Sequence, residues 1–214
     1  MEKRRLCVTS CLRYTGYQIS VVKNSVTVPI SRSELTLYRS QLTRYRKQCA
    51  RTLQGCILDC GGGIGDYLPY LDGDVISLDR EIKSLQMLDH AKRVVSDAEA
   101  LPFPDDTFDN IWACAIVQYV RLDVFIREAV RVTKSDGRIL VLVPNRKSPW
   151  DRIKKLWGMK TWSDQCGIVK QYSMDELSKY GKVTGEVRFL PFEKFLRNFP
   201  RLGHTLMLEI TVDK

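Results

Sequence analysis

A short apolar lead, Cys56-Ile57-Leu58, runs directly into Asp59-Cys60-Gly61-Gly62-Gly63-Ile64-Gly65. This junction constrains the fold more than any other stretch of the chain. The lead has the character of a short buried strand, and Asp66-Tyr67-Leu68 is predicted to open a helix. Glycine at 61, 63 and 65 permits left-handed backbone and lets a ligand approach the main chain where a Cβ would block it. Backbone amides at such a strand-to-helix turn form a docking place for polar or anionic ligand groups. The spacing narrows the choice of ligand. A dinucleotide fingerprint, G-x-G-x-x-G, needs its third glycine where this chain has Asp66.

A second acid stands at the distance that a nucleoside-binding βαβ unit requires. Asp74-Val75-Ile76-Ser77-Leu78-Asp79 reads as a strand ending in a carboxylate, about twenty residues beyond Asp59. In such a unit Asp79 lies beside the first turn and accepts hydrogen bonds from both ribose hydroxyls. Strand three is predicted over Arg93–Ala98, followed by Glu99-Ala100-Leu101-Pro102-Phe103-Pro104-Asp105-Asp106-Thr107-Phe108-Asp109. A fourth strand and its turn are expected over Phe108–Val120, and a helix over Val124–Val132. The turn Thr133–Gly137 then leads to a fifth strand over Arg138–Asn145, apolar enough to be buried on both faces. Two late strands are expected, at 182–190 and 205–212.

The acid-led G-x-G-x-G turn resembles the first motif of the class I S-adenosylmethionine (SAM) methyltransferases. The stretch from Asp97 to Asp109 is similar to the D-A-E-x-L-P-F-P-D-x-x-F-D segment of the type 11 group, which includes quinone C-methyltransferases. The resemblance implies an α/β Rossmann-like fold with a seven-stranded, mostly parallel sheet in the order 3-2-1-4-5-7-6 and helices on both faces. It implies SAM as cofactor, held by Asp59, Gly61, Gly62, Gly63, Gly65, Asp79, Arg80, Asp97, Ala98 and Cys114. Asp97 would accept from the adenine amino group and the Ala98 backbone would face the ring edge, an acceptor–donor pair complementary to adenine. Relatives often carry a His pair where this chain has Gln118-Tyr119, so no base is expected from that loop. The two histidines are His90 and His204, the latter nearer the expected acceptor mouth.

The chain of 214 residues suits one α/β core. The expected organisation is a basic N-terminal extension over 1–50 and a methyltransferase domain over 51–214, with a lid-like insertion at about 146–172. The sequence has no apolar run of about 18 residues and no signal-peptide core after Met1. Seven cysteines without a CxxC pair fit free thiols in a reducing, cytoplasmic setting, and no metal site is expected. Residues 1–55 hold eleven Lys/Arg against Glu2 and Glu34, which accounts for the whole formal charge of +9. Such a segment can steer toward nucleic acid, an anionic membrane surface or an acidic substrate. Within it, 17–22 and 25–30 suggest a β-hairpin. Ser31 or Ser33 is placed to cap a helix to about Thr52, and the resemblance implies that such a helix lies over the cofactor site, with Tyr38 near it.

After strand five, Trp150, Ile153, Leu156 and Trp157 share a helical face, with Arg152, Lys154 and Lys155 largely off it. This segment reads as a lid over the acceptor or as a helix on a membrane surface. Candidate acceptor contacts are Tyr38, Tyr119, Asn145, Trp150 and Trp157. The sequence leads to a SAM-dependent methyltransferase acting on a small molecule. The alternatives are RNA methylation served by the basic segment, or a SAM-binding subunit that activates a partner.

Overall fold

The computed structural model describes residues 44–88, 92–158, 170–186 and 199–214. Seven strands form one sheet: β1 (Gln54–Cys60), β2 (Asp72–Asp79), β3 (Lys92–Val95), β4 (Phe108–Cys114), β5 (Thr133–Pro144), β6 (Lys182–Glu186) and β7 (Thr205–Thr211). Their order is β3-β2-β1-β4-β5-β7-β6, as the family resemblance implied. β1 to β5 pair in parallel, and β7 runs antiparallel between β5 and β6. The predicted hairpin and Tyr38 lie outside the described residues, as does His90. The tail of the predicted N-terminal helix is α1, Arg44–Ala50, and the short α2, Ile82–Gln86, follows β2.

Side-chain alternation along the strands divides the core between two faces. Leu58, Ile111, Ala113, Ile139, Val141, Leu206 and Leu208 belong to one buried cluster. That face is covered by α3 (Leu122–Val132), which contributes Phe125, Ile126 and Ala129. The alternate residues Ile57, Trp112, Leu140, Leu142 and Met207 form the second cluster, under Ala50, Leu53 and Tyr67.

The helix expected after the glycine turn is absent: residues 68–70 form a single 3₁₀ turn, and β2 begins at Asp72. The crossover from β1 to β2 is residues 61–71, and its length explains the difference. An α-helix over that span would advance roughly 16 Å, whereas the return along β1 covers roughly 23 Å. The chain is therefore too short to coil through the crossover. Residues 133–137, expected as a turn, instead extend β5 toward α3, with a register shift opposite Phe108 and Asn110.

Two polar clamps hold segments with little regular structure. The Arg131 guanidinium donates to the carbonyls of Phe103 (2.8 Å) and Leu101 (2.9 Å), which fixes the 101–105 loop to α3. Its partner Glu128 accepts the Leu101 N–H at 2.9 Å. At the opposite end of β6, the buried Arg46 Nε donates to Glu186 Oε2 at 2.8 Å, and Arg46 Nη2 donates to Thr205 Oγ1 at 2.9 Å. This pair ties α1 to the tips of β6 and β7.

Removing one member of a buried pair strands the other charge. Arg46→Met is therefore expected to cost about 3–5 kcal/mol of unfolding free energy. Adding Glu186→Gln should recover part of that loss. Urea unfolding of the parent, both single variants and the double variant gives the coupling, and a loss below ~1 kcal/mol in Arg46→Met would show that the pair does not hold α1.

Candidate functional site

The order of the sheet reverses between β1 and β4, and ligands in open α/β sheets bind at such a switch point, beyond the strand C-termini. β1 ends there at Cys60 and the chain turns sharply. Gly61 has φ +74°, and a Cβ on it would come within 2.8 Å of Ile116 Cβ. Gly63 has φ +51° with open space where a side chain would stand. The N–H groups of Gly61 and Gly62 both donate to the Leu78 carbonyl, at 2.7 and 3.2 Å. That of Gly63 donates to Asp79 Oδ2 at 3.0 Å. The turn is thus pinned to the end of β2. Asp79 Oδ1 accepts the Glu81 N–H at 2.9 Å. A carboxylate offers about four lone-pair sites, so both oxygens keep acceptor capacity for a ligand.

A cleft of about 140 Å³ lies beside this turn, lined by Gly61, Asp79, Arg80, Ser96, Asp97, Ala98, Ala115, Ile116, Tyr119 and Val120. One wall is polar, from the ends of β2 and β3. The other is largely apolar, from the loop after β4. Asp97 Oδ1 accepts the Glu99 N–H at 2.9 Å, which fixes its carboxyl plane, and its Oδ2 lies 3.6 Å from Arg80 Nη2. Ala115 has φ +63°, an unusual conformation for a residue with a side chain. It lets the chain leave β4 and turn into the wall formed by Ile116, Tyr119 and Val120. A nucleoside carries hydroxyl and amine donors on an otherwise flat, apolar body. Two carboxylates facing an apolar wall, across a glycine that admits close approach, fit such a group.

Five of the ten expected cofactor residues line this cleft: Gly61, Asp79, Arg80, Asp97 and Ala98. Tyr119, expected on the acceptor side, joins them. Of the other five, Asp59, Gly62 and Gly65 pack closely at the turn, Gly63 faces open space, and Cys114 ends β4. A Cβ on Gly62 would come within 2.6 Å of Asp59 Oδ2, and one on Gly65 would collide with Leu88 and Leu68. Asp59 is buried and accepts the Ser77 hydroxyl at 3.1 Å. Cys114 belongs to the α1 face, where the Tyr67 hydroxyl interacts with both Cys114 and Arg46.

Asn145 is also buried, with its amide committed to the backbone. Nδ2 donates to the carbonyls of Gly203 (2.8 Å) and Arg201 (3.3 Å), and Oδ1 accepts the Lys147 N–H at 3.0 Å. It braces the chain leaving β5. Trp157 is exposed at the far end of that segment, and the Trp150 side chain and Tyr38 lie outside the described residues. Ser96, Ala115, Ile116 and Val120 were not anticipated. Position alone was the available signal, since Ser96 follows the C-terminal end of β3 and the other three follow that of β4.

Comparison with known proteins gives the same class. Residues 58–141 match the type 11 model of a methyltransferase domain. A ubiquinone/menaquinone biosynthesis C-methyltransferase from Pasteurella multocida is 30% identical, the match covering 59% of this chain and 49% of that protein. The protein of the same name from a Marinomonas species is 36% identical, over 41% of each chain. The chain thus spans about half the length, or less, of these relatives. A SAM-dependent methyltransferase from Thermotoga maritima shares the fold with a TM-score of 0.62 at 16% identity, covering 84% of this chain and 92% of its own. A chain of the Haloferax volcanii complex between the Trm112 methyltransferase activator and a methyltransferase does so with a TM-score of 0.64 at 17% identity, covering 86% and 94%. The strand order, with these matches, is that of the class I SAM-dependent methyltransferase fold. Within that class, the matched residues 58–141 resemble the type 11 group.

Burial pushes the Asp59 carboxyl up to about 7; the nearby Asp79 charge adds to the rise, and the Ser77 hydroxyl opposes it. An unfolded-chain Asp titrates near ~3.9, so the folded protein holds a proton that the unfolded chain releases. This contribution to stability is full below about pH 4 and is lost as the pH rises through about 7. Asp59→Asn, which mimics the protonated acid, should therefore raise the Tm of the ligand-free protein more at pH 8 than at pH 5, by several degrees. Parallel Tm profiles for parent and variant across that range would show that Asp59 is ionised throughout.

Proposed function

We propose that this protein transfers a methyl group from SAM to a small, ring-shaped, largely apolar acceptor. The observation that carries this reading is the cleft itself: the glycine turn, Asp79 and Asp97 meet one apolar wall at the sheet's switch point. Asp79 accepts hydrogen bonds from the ribose hydroxyls. The Asp97 carboxylate with the Ala98 backbone reads the amine-bearing edge of adenine. Gly61 and Gly63 leave room for the ligand against the backbone, and Arg80 covers the exposed side of the nucleoside. Ala98, Ile116 and Val120 supply the apolar contact that a flat base needs.

SAM bound there supplies an electrophilic methyl group on a sulfonium, whose transfer neutralises a charge. The chain's contribution is chiefly alignment and exclusion of water, which can supply a large share of the rate. Tyr119 stands half-exposed on the rim of the cleft, in reach of an acceptor arriving from beyond the strand ends. The acceptor class is supported by the names of the two matched relatives, both ubiquinone/menaquinone biosynthesis C-methyltransferases.

Calorimetric titration is expected to show binding of SAM and of its demethylated product, with no comparable affinity for NAD. Asp79→Ala should weaken SAM binding by at least roughly 1.5–3 kcal/mol, the value of one hydrogen bond to a charged group. Asp97→Asn should weaken SAM strongly and an analogue without the exocyclic amine only slightly. Unchanged SAM affinity in Asp79→Ala would remove the ribose assignment. Incubation with SAM and a panel of phenols and hydroquinones should yield products heavier by one methylene. SAM binding without turnover on any of them would point instead to a subunit that acts through a partner.

A further inference from the structure

We propose that the helix following β5 is a docking element for an anionic lipid surface. This helix, α4 (Pro149–Leu156), is anchored firmly at its base. Asn145 braces the chain at the tip of β5, the Arg146 N–H donates to the Tyr172 carbonyl at 2.9 Å, and Ser148 is buried. Ion pairs of Arg146 with Glu176 (3.0 Å) and of Lys147 with Asp175 (2.9 Å) hold the same stem to α5 (Met174–Leu177). Beyond that stem the apolar residues turn outward. Ile153 is 38% exposed, Leu156 83% and Trp157 76%.

At 100° per residue these three side chains fall within one stripe about 100° wide. Trp157 continues the helical hydrogen bonding, its N–H donating to the Ile153 carbonyl at 3.2 Å, before Gly158 ends the turn with φ +66°. A large aliphatic side chain and a tryptophan left this open on a basic helix want an apolar surface that the described chain does not provide.

Charge selects the kind of surface. Arg152 and Lys155 are exposed and enter no ion pair among the described residues. Arg152 borders the apolar stripe, and Lys155 lies across the helix on its polar face. A lipid interface satisfies both halves: the stripe enters the acyl boundary while the two cations stay level with anionic headgroups. The helix springs from the edge of the sheet that carries the cleft, so docking would turn the acceptor mouth toward the bilayer. The inference does not rest on methyl transfer, since lipid binding is measured without cofactor or acceptor.

The test is co-sedimentation of the full chain with vesicles of phosphatidylglycerol and phosphatidylcholine, beside vesicles of phosphatidylcholine alone. Binding should occur on the anionic vesicles, weaken as ionic strength rises, and be slight on the neutral ones. Leu156→Ser with Trp157→Ser should lower partitioning roughly tenfold or more, and so should Arg152→Glu with Lys155→Glu. All four positions are exposed, so the variants should keep the parent's Tm. The double variants leave the basic N-terminal segment intact; undiminished binding in both would assign lipid contact to that segment and overturn the proposal. Equal binding to neutral vesicles would remove the role of the cations. Absence of vesicle binding, with self-association that the Leu156/Trp157 variant abolishes, would make the stripe a contact between two copies of the chain.

Discussion

β1 is paired on both sides, to β2 and to β4, and the crossovers on its two sides lead in opposite directions across the sheet. Loops leaving the tips of β1 and β4 must therefore part, and the gap between them lets a ligand reach the strand ends. Everything at the site is arranged around this gap. The short return from β1 to β2 has no slack, so its glycines are stitched to Leu78 and Asp79. The loop after β4 turns away through a left-handed alanine, a conformation that costs roughly 1–2 kcal/mol and is held by the Ala115 N–H donating to the Leu142 carbonyl.

The structure resolves buried charge near this edge in two different ways. Arg46 and Glu186 enter the interior as a hydrogen-bonded pair, with Thr205 taking a further guanidinium donor. Among the described residues Asp59 has no cationic partner of that kind; burial raises its affinity for a proton, and Ser77 supplies only a neutral hydroxyl. The difference is physical economy of location. Arg46 joins α1 to three elements distant in sequence, so its charge gives orientation to the α1 face, with Tyr67 carrying the contact back toward the glycine turn. Asp59 sits directly beneath that turn, where a second large side chain would displace Gly62.

The edge of the sheet is also divided along its length. The β1, β2 and β3 side carries the carboxylates that suit a nucleoside, while the β5, β6 and β7 side carries the braced stem of α4 and the Arg46–Glu186 pair. Between them stand Tyr119 and the apolar wall. In the proposed reading, cofactor and acceptor approach from these two sides and meet above β4. An acceptor that partitions into lipid would find the helix after β5 already at the interface.

The sequence by itself determined the sheet and much of the cleft wall. The glycine turn, Asp79 and the Asp97–Asp109 segment are local patterns, because backbone conformation and strand-end position are set by near neighbours. It was legible for the same reason that α3 covers one face, since its apolar spacing is local. The crossover without a helix was not legible from the pattern Asp66-Tyr67-Leu68, because it follows from the length of β1 set against the length of the return. Asn145 looked available for an acceptor; only the approach of Arg201 and Gly203, more than fifty residues away, shows its amide already engaged. Arg46 carried no sequence signal at all, being one cation among the eleven of a basic segment. Its partner Glu186 lies 140 residues further along the chain. Pairing of that kind is decided by which strand tips the closed sheet brings side by side, and only the tertiary structure supplies it.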